Sequence, residues 1–431
     1  MSTPRDAREH AQQLDRSDAL APLRAEFCLP SRKDGSTAVY LCGHSLGLQP
    51  KRAGVLLQEE LAAWATLGVE AHFEGPRPWV SYHELLTPGL ARLAGAANTE
   101  VVAMNSLTVN LHLMLASFYR PQDRRTRILI EKSAFPSDRY AVRSHIAQRG
   151  LNPQATVLEM EAHDADGLFD TERVCETIER HAAELALILL PGVQYLTGQC
   201  LDMRTIAECA RRCGCVIGFD LAHAIGNVPL ALHDWNVDFA VWCSYKYLNA
   251  GPGAIGGCFV HERYARAFDV PRFAGWWGHD KSSRFAMPDR FEPLEGAEGW
   301  QLSNPSIFAC TPLLASLELF ERAGMQALRA KSIALTGYLE QVLSDQLRGI
   351  VTVLTPRAVD ARGAQMSLRI ERPAREARAL HEQLTRQGYI CDWREPNVIR
   401  IAPVPLYNTF SEVWEFVQAL RALCTPGTSQ S

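Results

Sequence analysis

The stretch Gly214–Gly257, GCVIGFDLAHAIGNVPLALHDWNVDFAVWCSYKYLNAGPGAIGG, limits what this chain can fold into more than any other. Cys215–Phe219 is a short apolar run rich in β-branched residues between Gly214 and Asp220, which predicts a buried strand. It ends on Asp220, with His223 three residues on. Asp238–Cys243 is a second apolar run, and it delivers Ser244, Tyr245 and Lys246 into a Gly-rich loop. In open α/β sheets ligands sit at the carboxyl ends of the strands. An acid at one such end and a lysine past the next suit a cofactor that needs both. The lysine forms an imine with an aldehyde, and the acid keeps a pyridine nitrogen charged.

Length and composition set the frame for that unit. A chain of 431 residues exceeds the usual size of one core, so two domains are expected. Hydrophobic residues make up 47% and charged residues 21%, ordinary for a soluble globular protein. A formal net charge of −4 argues against nucleic acid or an acidic membrane as partner. The twelve cysteines are scattered through apolar stretches without paired metal spacing, so no metal site is expected. Many unpaired cysteines fit a reducing cytosol. The polar N-terminus does not read as a signal peptide, and no stretch is apolar enough to span a bilayer. A cytoplasmic location is expected.

Along the chain, helical periodicity covers about Pro4–Asp18, Arg52–Leu67, Tyr82–Ala97, Val109–Tyr119, Thr171–Ala183 and Met203–Cys213. Strands are expected at Tyr40–Leu48 (running into a Gly-punctuated turn), Val101–Met104, Arg127–Glu131, Thr156–Met160 and Leu185–Leu190. Asn105-Ser106-Leu107-Thr108 opens a helix, which suits either a phosphate at free N–H groups or an ordinary cap by Thr108. Phe135-Pro136-Ser137-Asp138 reads as a Pro-containing turn with Asp138 at a helix start. Pro271–Ser306 is rich in Gly, Pro and aromatic residues, and it is long for a plain connection. After Ile307 come helices 307–322 and 325–346, then short strands near 351–354, 365–370, 389–393 and 398–402 with one more helix pair. The tail from Cys424 to Ser431 is expected to be disordered.

The pieces GFDLAHAIGNVPL, LHDWNVDFAVWCSYKYLNAGPG, VAMNSLTVNLHLML, KSAFPSDRYA, GWWGH, LSNPS and PNVIRIAPVPLYN span most of the chain. Together they resemble pyridoxal 5′-phosphate (PLP) enzymes of the aspartate-aminotransferase fold (fold type I), and within them the kynureninase family. The resemblance implies a large α/β domain with a mainly parallel sheet at 51–305, and a smaller α+β domain from 1–50 and 306–431. It implies PLP as cofactor, a homodimer with shared active sites, and hydrolytic cleavage of the Cβ–Cγ bond of L-kynurenine to anthranilate and L-alanine, in tryptophan catabolism. On that resemblance Lys246 carries the cofactor and moves protons at Cα. Asp220 holds the ring nitrogen, His223 orients that acid or contacts the ring, and Phe135 stacks on the ring with Asp138 on the nitrogen side. Leu107, Thr108 and Tyr245 hold the phosphate, and Tyr245 acts as an acid. Trp276 and Asn304 contact cofactor or substrate across a subunit contact, and His72 lies near the substrate. Arg400 grips the substrate carboxylate, since a guanidinium binds a carboxylate bidentately.

Two positions depart from the family pattern. His44 stands in GHSLG where GNSLG is usual, and Pro191 where a serine would offer a hydroxyl. The first rival reading is a cysteine desulfurase-like lyase, which needs a nucleophilic Cys on a mobile loop; Cys310 is the nearest candidate, at an apolar helix start. The second is a non-catalytic PLP-binding relative, which would be expected to lose Lys246, Asp220 or Arg400.

Overall fold

Runs such as ILIE, LALILLP, VIGFD and FAVWC have no polar alternation, so as strands they must be covered on both faces. The computed structural model, which describes residues 4–424, places them in this way. The strands of the first two-thirds are β1 (Val39–Tyr40), β2 (Val101–Ala103), β3 (Arg127–Glu131), β4 (Val157–Met160), β5 (Leu185–Pro191), β6 (Val216–Asp220), β7 (Phe239–Cys243) and β8 (Gly256–Val260). Strands β2 to β8 form one seven-stranded sheet in the order β2-β8-β7-β6-β5-β3-β4. Only β8 runs against its neighbours; every other pair is parallel. The chain passes from β4 at the sheet edge to β5 on the far side of β3, so the order reverses there. That reversal opens a crevice at the carboxyl ends of β3, β5 and β6.

Tight packing fixes the middle of the sheet. Gly218 of β6 lies under Phe239, and a Cβ at that position would stand 2.1 Å from the ring. Gly257 of β8 is pressed in the same way by the fully buried Trp242.

The later strands are β9 (Val351–Val353), β10 (Met366–Ile370), β11 (Tyr389–Ile390), β12 (Asp392–Arg394) and β13 (Val398–Ile401). Four of them form an antiparallel sheet in the order β12-β13-β10-β9, while β11 pairs in parallel with β1. The core of this part joins Ala7, Ala11, Val39 and Leu41 to Leu335, Leu368, Ile399 and Phe416. The helix Ile307–Ala323 packs instead on the larger core, through Cys310, Leu313 and Leu317.

Several elements differ from the sequence-based expectation. The single helix expected over Tyr82–Ala97 is a 3₁₀ segment, Trp79–Leu85, followed by an α-helix, Thr87–Ala94. Pro88 has no N–H to donate, so it sits in the first turn of a new helix. The link between β6 and β7 is a series of turns. The run 389–393 divides at Cys391 between two sheets. Strand β8 follows a Gly-rich loop and had no separate expectation. Cys424 ends the helix Phe410–Cys424, and the rest of the tail lies outside the described residues. Among the described residues no helix is long and apolar enough to cross a membrane.

Replacing Gly218 with Ala forces a methyl into the Phe239 ring. Urea unfolding is expected to show a loss of about 1–3 kcal/mol with an unchanged m-value.

Candidate active site

The crevice holds a cavity of about 80 Å³ lined by residues from five separate segments. Asp220 ends β6, and its carboxylate accepts the Ala222 N–H at 2.7 Å. His223 follows in the next turn. Lys246 comes from the loop after β7, and its Nζ lies 3.0 Å from His223 Nε2. Burial pushes the His223 imidazole well below its usual range, with the Lys246 charge adding to the effect. The ring is therefore neutral, with Nε2 accepting from Lys246 and the proton on Nδ1.

Opposite Lys246 stands a wall of three buried carboxyl groups. Asp138 lies beside Asp220, close enough for the two carboxyls to act on each other, and Glu131 at the end of β3 completes the group. Burial raises all three. Burial first, then the charge of Asp220, push Asp138 well above the carboxylate range. Asp220 rises less, because Lys246, the Ala222 N–H and Asp138 all favour its charged form. Asp138 thus holds the shared proton and Asp220 the charge, since two adjacent carboxyls in a dry wall cannot both ionise. Glu131 is raised to about 7, by burial and by Asp220. The expectation did not include Glu131; its place as the last residue of an apolar strand was the available signal.

The other walls come from helix starts. The helix Leu107–Phe118 has Ser106 at its N-cap with no side-chain cap, so its first N–H groups are left uncapped beside the cavity. Thr108 lies inside the first turn and is not the cap. Phe135 caps the next helix, Pro136–Gln148, without a side-chain bond, and its ring meets Tyr195 edge-on at 5.3 Å. Pro191 and Tyr245 also line the cavity. An uncapped helix start, a ring face, an ionised acid and a facing lysine match the donors and acceptors of a phosphorylated pyridine aldehyde.

Arg400 reaches this region from the smaller sheet. It is buried in β13, directly opposite Asp392 of β12, and antiparallel register puts the two side chains on one face. Arg400 Nε donates to Asp392 Oδ2 at 2.7 Å, Nη2 donates to the same oxygen, and Nη1 donates to the Tyr195 carbonyl. Burial opposes ionisation of Asp392, but His44 and Arg400 beside it outweigh that and hold its carboxyl far below the usual range. Asp392 was also absent from the expectation, because the pairing depends on a hairpin register that spacing alone does not give.

Three expected residues are elsewhere. His72, Trp276 and Asn304 do not line the Lys246 cavity; Arg400 does not line it either, but reaches its rim through the Tyr195 carbonyl. His72 packs on Trp79, with ring centroids 5.3 Å apart, and donates to or accepts from nothing in the cavity; its Nδ1 lies 3.0 Å from the Val69 carbonyl. Trp276 is half exposed against Phe285, which in turn meets Phe73. Asn304 is exposed on the same long loop region. No cysteine lines the cavity, and Cys310 is fully buried with its thiol pushed up to about 12 by that burial. Among the described residues, Glu100, His233 and His261 have metal-like spacing, but Glu100 already accepts backbone N–H groups from Ala97 and Glu262.

Comparison with known proteins places this geometry in a lineage. Residues 328–420 match the model of the kynureninase C-terminal domain. The kynureninase of Koribacter versatilis is 54% identical over 408 residues, 95% of this chain and 96% of that protein. The kynureninase of Myxococcus xanthus is 54% identical over 423 residues, 97% and 99% of the two chains. Among solved structures, a C-DES mutant with glycine covalently linked to its PLP cofactor superposes with a TM-score of 0.74 at 18% identity, covering 89% of this chain and 96% of its own. The Escherichia coli cysteine desulfurase CsdA gives 0.72 at 18% identity, covering 94% and 98%. The structural matches establish the fold, and the sequence matches, at more than half identity over nearly the whole length, establish that the chain belongs to the kynureninase family.

Proposed function

We propose that this protein is a PLP-dependent hydrolase that cleaves the Cβ–Cγ bond of L-kynurenine, releasing anthranilate and L-alanine. The observation that carries the reading is Lys246 facing the Asp220–Asp138 pair in one cavity, in a chain of this family. The proposal extends to 3-hydroxykynurenine, which would give 3-hydroxyanthranilate and L-alanine.

PLP, when bound, supplies an electron-accepting ring for the bond changes at the amino-acid carbon. The rest is the work of the chain's own groups. Lys246 holds the aldehyde and, once substrate replaces it, moves the proton at Cα. Asp220 is already the ionised member of its pair, so it can stabilise a protonated ring nitrogen, and Asp138 stays protonated behind it. His223, neutral and acceptor to Lys246, keeps the amine placed. Phe135 offers a ring face, while the N–H groups at Leu107 and Thr108 and the Tyr245 hydroxyl suit the phosphate. Tyr245 also serves as the acid that returns a proton at Cβ. Arg400 binds the substrate carboxylate. Buried Cys310 and a cavity without cysteine speak against sulfur transfer, despite the desulfurase-like fold.

A homodimer completes this proposal. Val55, Trp64, Phe73, Trp276, Phe285 and Phe308 are large apolar side chains left exposed. Trp64 meets Phe308 at 6.1 Å, and Trp276 joins Phe73 through Phe285, so the exposed rings are clustered rather than scattered. His72 and Trp276 from this cluster, with the exposed Asn304, would serve the aryl-ketone end of a second copy's site. The cofactor-binding unit of each copy extends past 51–305 to take in the helix Ile307–Ala323, which packs on the larger core, and most of the remaining described residues form the smaller one. A cytoplasmic location is part of the same reading.

Purified, PLP-loaded protein given L-kynurenine is expected to release anthranilate and alanine in equal amounts, followed by anthranilate fluorescence and an alanine assay. Lys246→Ala should lower kcat by at least about a thousandfold; wild-type turnover in that variant would refute the role of Lys246. Trp64→Glu should shift the sedimenting species toward monomer and lower activity together. Glu131→Gln should raise the Tm of the cofactor-free protein more at pH 8 than at pH 5. A raised carboxyl costs stability as pH climbs from about 4.3, its unfolded value, through its folded value of about 7, and the amide escapes that loss.

A further inference from the structure

His44 is fully buried in the turn 42–47, and that turn is clamped on both sides. A Cβ on Gly43 would meet the Tyr407 hydroxyl and Val404, and one on Gly47 would meet Asn249 and the Lys246 carbonyl. The Gly47 N–H donates to the Tyr245 carbonyl at 2.8 Å, and Ala402 N–H donates to the Leu41 carbonyl at 2.8 Å. The imidazole is therefore held between the Lys246 loop and the smaller sheet.

Neither ring nitrogen of His44 lies within hydrogen-bonding distance of another described group. Its nearest charged neighbour is Asp392, with Nε2 3.6 Å from Oδ2. That oxygen is the one that Arg400 grips, and Arg394 Nη2 lies 3.2 Å from it. The His44 ring is also 6.5 Å from the ring of His223, the partner of Lys246. Burial pushes His44 down to about 4, so the ring is neutral and offers one N–H and one lone pair.

A buried imidazole without hydrogen-bond partners is costly. The arrangement gains meaning if Arg400 receives a second carboxylate. Its guanidinium has N–H groups left on Nη1 and Nη2 after Asp392 and Tyr195 are served. An arriving carboxylate meets repulsion from Asp392 on the same cation. A neutral donor at 3.6 Å is too far to compete for Asp392 now, and a shift of under about 1 Å would bring it into range.

We propose that His44 is a positioning residue for substrate binding: it takes up Asp392 Oδ2 as Arg400 turns to the substrate carboxylate. The inference rests on the reading of Arg400 as the carboxylate grip. His44 acts only through Asp392, so it affects ligands that have an α-carboxylate and spares those that lack one.

The test uses the PLP-loaded enzyme with two probes, L-kynurenine as substrate and kynuramine, the same molecule without its carboxylate, as competitive inhibitor. His44→Leu is expected to raise KM for L-kynurenine by about fivefold to tenfold, with kcat changed less than about twofold and the kynuramine Ki unchanged. His44→Asn, which keeps an N–H donor, should recover most of the loss. An unchanged KM, or KM and Ki rising together, overturns the proposal. Arg400→Gln is the control for the underlying reading: if it does not weaken L-kynurenine more than kynuramine, that reading fails first. If Arg400→Gln discriminates and His44→Leu does not, only the His44 inference falls. A readout on the wild-type enzyme covers the case in which His44→Leu does not fold. The His44 N–H proton resonance should move downfield on adding L-alanine and stay in place with ethylamine; a resonance indifferent to both rejects the role.

Discussion

The site depends on the parallel register of β6 on its two neighbours. Pairing of Pro191 with Asp220, and of Asp220 with Val241, ends β5 and β6 level and lets β7 run on to the Lys246 loop. A slip of one residue would turn Asp220 to the other face of the sheet. The register is held by close packing more than by any polar contact, since Gly218 admits Phe239 and Gly257 admits Trp242 with no room for a Cβ. The chemistry at the strand ends thus rests on apolar fit in the sheet interior.

Charge at the site is organised by exclusion of water. With three buried carboxyls on one side and a neutral imidazole on the other, Lys246 faces Asp220 as the ionised member of the Asp220–Asp138 pair. In water all three carboxyls would be ionised at neutral pH. Buried together, Asp138 keeps a proton, Asp220 keeps the charge and Glu131 is moved to about 7, and an ionised Asp220 is what a pyridine nitrogen requires. Arg400 is managed in the same way by Asp392, which keeps a buried guanidinium paired.

Much of this was legible in the chain itself. Asp220, Lys246, Phe135 and the Asn105–Thr108 turn lie at ends of apolar runs, where the strand-end rule points. All of these segments reach one cavity or its rim. Glu131 obeys the same rule and was passed over because the motif around it begins one residue later, at Lys132. Asp392 was not legible, since its partner lies across a hairpin whose register depends on the turn between β12 and β13. His44 looked like a turn residue, and only its burial between two elements distant in sequence shows its neighbours.

Sequence alone determined most strands of the larger sheet and the identity of Lys246, Asp220 and the residues around them, because each depends on local pattern and on motifs a few residues long. Tertiary structure decided which groups share a dielectric and a proton: Glu131 with Asp138 and Asp220, and His44 with Asp392 and Arg400. It also left His72, Trp276 and Asn304 outside the lining of the Lys246 cavity, with His72 and Trp276 in an aromatic cluster around Phe73 and Phe285. Those outcomes are set by burial and by through-space distance between segments up to hundreds of residues apart, quantities that no local pattern encodes.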